Sequence, residues 1–362
     1  MPRRILLATD AWTPQVNGVV RTLEETVARL RQRGHQVELV TPDLFMNMPM
    51  PFYPEIRLAM VPGNGVTRRI EAFRPDLVHI ATEGPIGWAA RRWCLAHDMP
   101  FTTAFHTRFP DYVAVRTGLS AERIWPLMRR FHAPSRTVLA ATPSLRAELT
   151  GRRIGPVAPW SRGIDADLFN VDAVPDPALR ALPGPVLLYV GRVAPEKGLE
   201  DFLGARHHGT RVVVGDGPAL AGLKAKYPDA VFTGRLTGKA LASAYAAADC
   251  FVFPSRSDTF GLVMVEALAC GVPVAGYPVQ GPIDIVGPKG RGGMSELARV
   301  IGAVDEDLDT AIAHALLASR SDCAAYGASF SWEAATDQFV AALGAVLEDD
   351  PPLADGTAPL AA

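Results

Sequence analysis

The chain has 362 residues, which is long for one domain and comfortable for two. Apolar residues make up 48% and charged residues 20%, as is ordinary for a soluble globular protein. The four cysteines lie far apart and lack C-x-x-C spacing, so we expect reduced thiols of a cytoplasmic protein, with no metal site and no disulfide framework. No export signal is predicted, and no apolar run approaches the roughly 20 residues of a membrane span.

The net charge of −2 conceals an asymmetry between the two halves. Through Asp165 there are 22 Lys and Arg against 14 Asp and Glu, a net of +8, and the remainder carries −10. Either the composition has drifted, or the N-terminal half faces an anionic partner such as a lipid surface or phosphates. Any membrane contact is expected to be peripheral.

The first half alternates strands with helices. RRILLATD is typical of a buried strand, and a helix is predicted from Val19 to Gln32, with Gly34 at its C-terminus. Further strands are predicted at HQVELVTP, DLVHIATEG and MPFTTAFHT. This order indicates a parallel sheet covered by helices on both faces, in a domain of residues 1–170.

The pattern then restarts after a Pro-rich linker, residues 171–185. Strands are predicted at PVLLYVG, TRVVVGDG, AVFTG and DCFVFPS, which gives a second α/β domain over residues 186–330. SWEAATDQFVAALGAVL predicts an amphipathic helix over 331–348, and residues 349–362 have the composition of a disordered tail.

Ligands of open parallel sheets bind at the carboxyl ends of the strands. The first candidate loop is TDAWTPQVNG, in which Asn17 and Gly18 open a helix whose N-terminus favours an anion, although an ordinary turn would read the same. The second is YVGRVAPEKG: Gly191 ends a strand, and Arg192 and Lys197 suit a diphosphate whose charge grows as a sugar departs. The alternative is a solvated ion pair with Glu196.

The third candidate is PSRSDTFGLVMVEALACGVPV, where Asp258 and Glu266 straddle the start of a helix. Backbone N–H groups of that first turn can hold phosphate, while the carboxylates accept hydrogen bonds from sugar and ribose hydroxyls. Asp258 could instead be a helix cap. Glu266 lies in an almost wholly apolar run, so its charge requires a partner.

Three further segments end predicted strands. In TTAFHTRFPDY, His106 follows the strand directly, and it is either structural or catalytic. VVVGDGP and FTGRL carry glycine loops, and Gly234 and Leu236 of the latter are candidates for a base and ribose pocket or for plain turns.

With these segments assembled, the chain resembles the retaining glycosyltransferases of family four, which have the GT-B fold. The resemblance runs from TDAWTPQVNG to SWEAATDQF and is carried by FHTRFPDY, SRGIDADLFN, YVGRVAPEKGLE and DTFGLVMVEALACGVPVAGYPVQGPID. It is greatest to bacterial members that glycosylate lipids, the α-mannosyl-, sulfoquinovosyl- and glucosyl- or glucuronosyl-diacylglycerol synthases.

The resemblance implies a role for each matching residue. His106 would lie beside the transferred sugar, Arg192 and Lys197 would bind the diphosphate, and Glu266 would contact the ribose. Asp258 stands where the family usually has glutamate, which leaves the donor sugar open. The implied backbone contacts to phosphate and sugar come from Gly18, Gly261, Leu262 and Val263.

The resemblance also implies two Rossmann-like domains facing across a cleft, with the last helix crossing back onto the first domain. It implies a UDP- or GDP-linked sugar as donor, retention of anomeric configuration and no metal or other cofactor.

On the acceptor side, the segment Ser120–Arg136 mixes basic with aromatic and apolar residues. It predicts a helix that contacts a lipid acceptor on the inner face of the membrane, or else a core helix. The candidate acceptor and membrane residues are Arg108, Tyr112, Trp125, Arg129 and Arg130.

Three classes of function remain open. The first is transfer of glucose, glucuronate or mannose to a membrane lipid such as diacylglycerol. The second keeps the fold but uses a soluble or polysaccharide acceptor, or epimerises a nucleotide sugar with Asp10 and Glu83 as the spare carboxylates. The third is a non-catalytic nucleotide-binding protein, which the cations and carboxylates disfavour. No nucleic-acid partner is expected.

Overall fold

The computed structural model describes residues 2–15, 18–50, 53–60, 64–256, 260–295 and 297–345. The chain divides into two compact units, which we call unit 1 (residues 1–162 with 332–362) and unit 2 (residues 163–331). Asn17, Asp258 and the tail 349–362, about which the sequence makes predictions, lie outside the described residues.

Unit 1 contains a six-stranded parallel sheet, as far as the chain is described, in the order β2-β1-β5-β6-β7-β8, with a separate antiparallel pair, β3 and β4. Its strands are β1 (Arg4–Ala8), β2 (Gln36–Val40), β3 (Asn47–Met50), β4 (Tyr53–Ala59), β5 (Leu77–Ile80), β6 (Phe101–Phe105), β7 (Thr137–Ala140) and β8 (Val157–Pro159). Its helices are α1 (Gly18–Gln32), α2 (Gly65–Phe73), α3 (Pro85–Ala96), α4 (Phe109–Thr117), α5 (Trp125–His132), α6 (Pro143–Gly151) and, last in the chain, α15 (Trp332–Gly344).

Unit 2 contains, within the described residues, another six-stranded parallel sheet, in the order β11-β10-β9-β12-β13-β14. Its strands are β9 (Val186–Val190), β10 (Thr210–Val214), β11 (Val231–Gly234), β12 (Cys250–Phe253), β13 (Val274–Gly276) and β14 (Gly302–Val304). Its helices are α7 (Pro177–Arg180), α8 (Leu199–Gly204), α9 (Leu220–Lys226), α10 (Gly238–Ala247), α11 (Leu262–Ala269), α12 (Gln280–Ile285), α13 (Leu308–Ala315) and α14 (Arg320–Ala328).

The apolar pattern explains this layering. Every residue of β5, β6, β7, β9 and β12 is buried, as expected for strands covered by helices on both faces. In α1, Leu23, Val27 and Leu30 recur at helical spacing and enter the core of unit 1. The two parallel α/β sheets confirm the predicted fold class.

The units differ from the predicted domain boundaries. Residues 163–170 belong to unit 2 because Ile164 donates its N–H to the Phe330 carbonyl and Phe169 packs edge-to-face on Tyr245. The predicted linker 171–185 is also part of unit 2. It contains α7, and the Asp176 side chain accepts hydrogen bonds from the first-turn amides of that helix.

Helix α15 belongs to unit 1. Phe339 and Trp332 are buried in the same core as Trp160, and Arg29 of α1 donates to Glu333 at 2.9 Å. The core of unit 1 is therefore completed by residues that follow the whole of unit 2 in the chain.

Candidate functional site

The loops at the carboxyl end of the unit 2 sheet interlock. After β9, Gly191 donates its N–H to Val214 of β10 at 3.0 Å, and Val193 donates to Asp216 at 2.9 Å. A Cβ on Gly215 would lie 1.8 Å from the Gly191 carbonyl oxygen, so the two loops approach more closely than any other residue would allow. The backbone on either side of Arg192 is thus fixed by its neighbours.

Arg192 projects from this fixed backbone. Its carbonyl accepts a hydrogen bond from the Tyr189 hydroxyl at 2.8 Å, and its guanidinium is exposed. Arg192 Nη1 lies 4.0 Å from Glu196 Oε1, the outer limit of an ion pair, so the alternative of a pair with Glu196 is present only weakly.

Lys197 ends a short 3-10 turn, Pro195–Lys197, and is half-buried. The next residue, Gly198, has a φ of +67°, and a Cβ there would lie 2.5 Å from the Pro254 carbonyl oxygen beyond β12. The loop after β9 is therefore pressed against the loop after β12. Arg192 and Lys197 share the edge of the sheet at which α11 begins.

Helix α11 follows β12 and begins after Gly261, whose φ is +80°. A Cβ at this position would lie 2.7 Å from Met264 Cε and 3.1 Å from Phe253 Cζ, so both conformation and space require glycine. Leu262 and Val263 form the first turn, where amides have no carbonyl of their own helix to donate to. These are the amides predicted to hold phosphate.

Glu266 lies on α11 and is 3% exposed, so it is not a surface charge. The Tyr245 hydroxyl of α10 donates to Glu266 Oε2 at 3.0 Å, which is the kind of partner that the apolar sequence around Glu266 requires. This contact sets the orientation of the carboxylate. Nothing in the sequence indicated Tyr245.

Gly234 and Leu236 lie at the same edge of the unit 2 sheet. Gly234 ends β11 with a φ of +78°, and its carbonyl accepts from the Gly215 N–H at 2.8 Å. Leu236 is half-buried in the following loop. The Asp216 carboxylate accepts from the Gly217 N–H, as in a turn.

In unit 1, Gly18 is the exposed first residue of α1. His106 follows β6 and is buried, with its ring 5.2 Å from that of Trp160. Arg162 Nη2 lies 2.8 Å from His106 Nδ1. A guanidinium can only donate, so Nδ1 accepts and the proton of the neutral ring sits on Nε2.

The surroundings of His106 keep it neutral. Burial, the Arg162 cation and the nearby His79 together hold the pKa of His106 well below its usual range. With its proton on Nε2, the neutral ring can donate a hydrogen bond to a sugar oxygen, but it cannot act as a general acid in the way that an imidazolium can.

Arg162 was not among the predicted site residues. It is buried and donates from Nη1 to the carbonyls of Trp160 and Ser161, and burial lowers its pKa to about 10. The available signal was a single arginine after the short strand β8, within the segment SRGID.

The helix that was predicted to contact the acceptor and the membrane, α5, is partly a core helix. In α5, Trp125 is 2% exposed; its ring stacks on Phe105 at 5.7 Å, and the Arg152 guanidinium lies 4.0 Å from its centre. The prediction that Trp125 contacts acceptor or membrane is therefore wrong, because its ring completes the core. Arg129 and Arg130 are exposed, and Arg129 donates to the Arg152 carbonyl.

Arg108 pairs with Asp111 and, at 2.6 Å, with Glu148 of α6. These pairs tie α4 to α6, which gives Arg108 a structural role within unit 1. Tyr112 lies in α4, and its side chain falls outside the described part of the structure.

The two spare carboxylates are both engaged. Asp10 is buried at the end of β1 and accepts from the Ile86 and Gly87 amides at 2.9 and 3.2 Å, which caps α3. Burial raises its pKa to about 6. Glu83 Oε1 lies 3.2 Å from Nε2 of the buried His132.

The four cysteines are buried thiols, and burial raises the pKa of Cys94, Cys270 and Cys323 to about 12. The described residues include no helix with the length and apolar character needed to traverse a bilayer. Among those same residues, no three histidine, cysteine or acidic side chains are grouped as a metal site would require.

Comparison with known proteins identifies both units. The family model described as Glycosyltransferase Family 4 matches residues 16–168, and that described as Glycosyl transferases group 1 matches residues 184–319. The chain is 32% identical over 309 residues to a GDP-mannose-dependent alpha-mannosyltransferase of Mycolicibacterium smegmatis, covering 79% of this chain and 82% of the relative. It is 27% identical over 319 residues to an alpha-monoglucosyldiacylglycerol synthase of Streptococcus pneumoniae, covering 76% and 71%.

Among solved structures, sucrose-phosphate synthase from Thermosynechococcus elongatus superposes with a TM-score of 0.69 at 23% identity, covering 95% of this chain and 99% of that one. At this identity the likeness shows the fold, that of two Rossmann-like units. The matched family models, the mannosyltransferase relative and this fold agree: the chain is a glycosyltransferase and belongs to glycosyltransferase family 4.

Proposed function

We propose that the chain is a retaining hexosyltransferase that moves mannose from GDP-mannose to a membrane lipid such as diacylglycerol. The observation that carries this proposal is the carboxyl edge of unit 2, where the interlocked loops present Arg192 and Lys197 beside the start of α11. A nucleoside diphosphate gains negative charge as the sugar leaves, and preorganised cations and amides stabilise that charge.

The carboxylate of Glu266 supports the same assignment. It is held by Tyr245 within an apolar helix, so its position is fixed before any ligand arrives. A carboxylate so placed can accept both hydroxyl hydrogens of a ribose. We expect no metal or other cofactor, in line with the resemblance noted from the sequence.

The choice of donor and acceptor draws on the relatives. The mycobacterial relative is named for GDP-mannose and the pneumococcal one for a diacylglycerol product. Exposed apolar residues of unit 1 that suit an inner membrane surface lie in β3, at Met48, and next to β3 and β4, at Met46 and Met60. Exposed cations lie at Arg129 and Arg130. These replace Trp125 in the proposed peripheral contact.

A soluble acceptor is the second candidate, because the fold is compatible with one: it is also the fold of a sucrose-phosphate synthase. Epimerisation is less well supported, because Asp10 and Glu83 are occupied by α3 and His132. Co-sedimentation with anionic vesicles distinguishes a lipid from a soluble acceptor.

The first prediction tests the diphosphate site. Arg192→Ala or Lys197→Ala should lower kcat/KM about 100-fold or more, because each removes a group that stabilises the leaving phosphate. The measurement is transfer from GDP-mannose to diacylglycerol vesicles, with UDP-glucose, UDP-glucuronate and UDP-galactose run in parallel to test the donor.

The matched control is Arg206→Ala. Arg206 is an exposed arginine that pairs with Asp309, and it lies just before β10, at the opposite end of that strand from the site. It should leave the rate unchanged. Near-normal rates in both site variants would refute the diphosphate assignment.

A further inference from the structure

Unit 1 has a cavity of about 230 Å³ at the carboxyl ends of β1 and β2, strands that pair in parallel. The loop after β1 contributes Trp12 and Gln15, the loop after β2 contributes Asp43, and β3 contributes its first residue, Asn47. Pockets that enclose a drug-sized ligand measure roughly 300–1,000 Å³, so this one suits a single small ring or a glycerol-sized group.

Two side chains in the lining of this cavity, Asp43 and Asn47, present oxygen atoms that can accept hydrogen bonds. Asn47 Nδ2 lies 3.2 Å from the Pro42 carbonyl and 3.3 Å from the Phe45 carbonyl. Carbonyl oxygens only accept, so the amide nitrogen must face them, and Asn47 Oδ1 is left to accept from a ligand. Among the described residues, Oδ1 has no donor of its own.

Asp43 adds a carboxylate to the same wall. It is exposed at the start of a short 3-10 turn, Pro42–Leu44, and it makes no ion pair or hydrogen bond with any residue that the structure describes. None of the described residues that line the cavity is a lysine or an arginine. An anionic group would therefore meet the like charge of Asp43, with no cation among those residues to offset it.

Trp12 completes the lining with an aromatic surface. Its half-buried indole packs against the core of unit 1 and borders the cavity. A large rigid aromatic group can pack against the C–H groups of a ligand, and the neighbouring carboxylate and amide oxygens can accept hydrogen bonds from its hydroxyl groups. Sugars and other polyols have this chemistry; phosphates do not.

We propose that this cavity is a binding site for a neutral polyhydroxyl group, the glycerol or sugar portion of the acceptor, with Asp43 and Asn47 accepting its hydroxyl hydrogens and Trp12 packing against its C–H face. The inference rests on the proposed transferase function and specifies the acceptor: a neutral headgroup, with acceptors bearing a phosphate or carboxylate disfavoured.

The test compares Asp43→Asn with Glu71→Gln in the full chain. Glu71 is an exposed carboxylate on α2 of the same unit, so the control removes an equal charge away from the cavity. The probes are methyl α-D-glucopyranoside and sn-glycerol 3-phosphate, followed by saturation-transfer NMR. In parallel, transfer is measured to diacylglycerol, to monoglucosyldiacylglycerol and to phosphatidylinositol.

The expected result is that the glucoside binds and the glycerol phosphate does not. Asp43→Asn should weaken glucoside binding and raise the KM for the neutral lipids about 10-fold or more, as loss of a charged hydrogen-bond partner does. Asp43→Asn should also reduce the ratio of transfer to neutral lipids over transfer to phosphatidylinositol. Glu71→Gln should change neither binding nor transfer. The KM for the donor should be unaffected by either variant.

The alternative outcomes separate the two proposals. If the unaltered chain does not bind the glucoside, the cavity assignment alone is overturned. The same holds if Asp43→Asn changes neither glucoside binding nor the KM for the neutral lipids. Glucoside binding that depends on Asp43, together with no transfer to any lipid, retains the cavity and refutes the lipid acceptor of the proposed function. Equal binding of the glycerol phosphate overturns the preference for a neutral group.

Discussion

His106 Nδ1 accepts a hydrogen bond from Arg162, a group with no lone pair to offer in return, and this decides which ring nitrogen carries the proton. If His106 lies beside the transferred sugar, as the family resemblance implies, Nε2–H is the atom that would contact it. Arg162 then acts on the reaction through His106, as a positioning residue.

The second prediction follows from that arrangement. Arg162→Gln removes one of the charges that depress the pKa of His106, so this pKa should rise even though burial still holds it down. More imidazolium would then form at mildly acid pH than in the unaltered chain, and the ratio of transfer rates at pH 5.5 and pH 8 should fall below that of the unaltered chain. Misplacement of the ring should also lower kcat at all pH values, by about 10- to 100-fold.

The conservative variant separates charge from packing. Arg162→Lys keeps the cation, so its ratio of rates at pH 5.5 and pH 8 should match that of the unaltered chain even if kcat is lower. An unchanged ratio in Arg162→Gln would show that Arg162 does not set the protonation of His106.

The site residues that the sequence predicted are those whose chemistry is local. Gly191 directly follows a strand and Gly261 directly precedes a helix, and the structure shows the tight backbone that a glycine at such a place permits. Arg162 and Tyr245 could not be predicted, because each is functional only through a residue more than twenty positions away in the chain. No spacing rule connects them.

At the scale of elements, Asp10 links the end of β1 to the N-terminus of α3. Its carboxylate accepts from two amides of that helix and from the Thr82 hydroxyl, so one side chain sets the approach of helix to sheet. A Cβ on Gly84 would lie 2.3 Å from Asp10 Cγ, which explains the glycine before the helix.

The third prediction is a pH dependence of stability, which follows from the burial of the Asp10 carboxyl. The pKa of Asp10 is about 6 in the folded chain, above its ordinary value of 3.8, so between these values the folded chain binds a proton that the unfolded chain has released. The stability that Asp10 contributes is therefore greatest below pH 4 and is lost as the pH rises through 6. The free energy of unfolding of unit 1, relative to Asp10→Asn, should fall by at most about 1.4 kcal/mol per pH unit over this interval.

Denaturant unfolding of both proteins from pH 4 to pH 7 measures this difference. The variant is the reference because asparagine does not titrate. The contributions of the other titratable groups to the free energy of unfolding are then the same in both proteins to first order and cancel in the difference. A constant or rising difference would show that the Asp10 carboxylate is not desolvated by the fold.

Helix α5 shows where sequence patterns are insufficient. A basic helix with aromatic residues is compatible with a membrane surface and with a core, and its periodicity does not distinguish them. The decision is made by partners elsewhere, since Phe105 and Arg152 enclose the Trp125 ring. The two sheets were predictable because their strands are apolar throughout, which is a local property.

At the scale of the whole molecule, unit 1 is discontinuous and depends on α15. The Phe339 ring lies 4.8 Å from those of His79 and Trp160, and all three are buried. His79 is held neutral there, with burial lowering its pKa to about 3. The last helix is thus part of the hydrophobic core that supports the strand before His106.

A substitution in α15 should accordingly act on unit 1. Phe339→Ala should lower the free energy of unfolding of unit 1 by about 3–5 kcal/mol, because it leaves a cavity in a packed core. Differential scanning calorimetry, with nucleotide added to mark the transition of unit 2, provides the measurement. The control is Arg33→Ala, which breaks an exposed pair with Asp337 on the same helix and should cost about 1 kcal/mol or less.

A Phe339→Ala variant that melts like the unaltered chain would contradict this assignment of α15. So would one in which the nucleotide-sensitive transition alone is shifted.

The discontinuity of unit 1 also imposes an order of events during translation. Residues 163–331 form one continuous segment, so unit 2 can fold once that segment has emerged, without waiting for any residue that follows it. The first 162 residues emerge earlier but lack Trp332 and Phe339, and so must wait as an incomplete nascent domain with an open apolar surface. The half of the enzyme that is made first is therefore the half that finishes folding last.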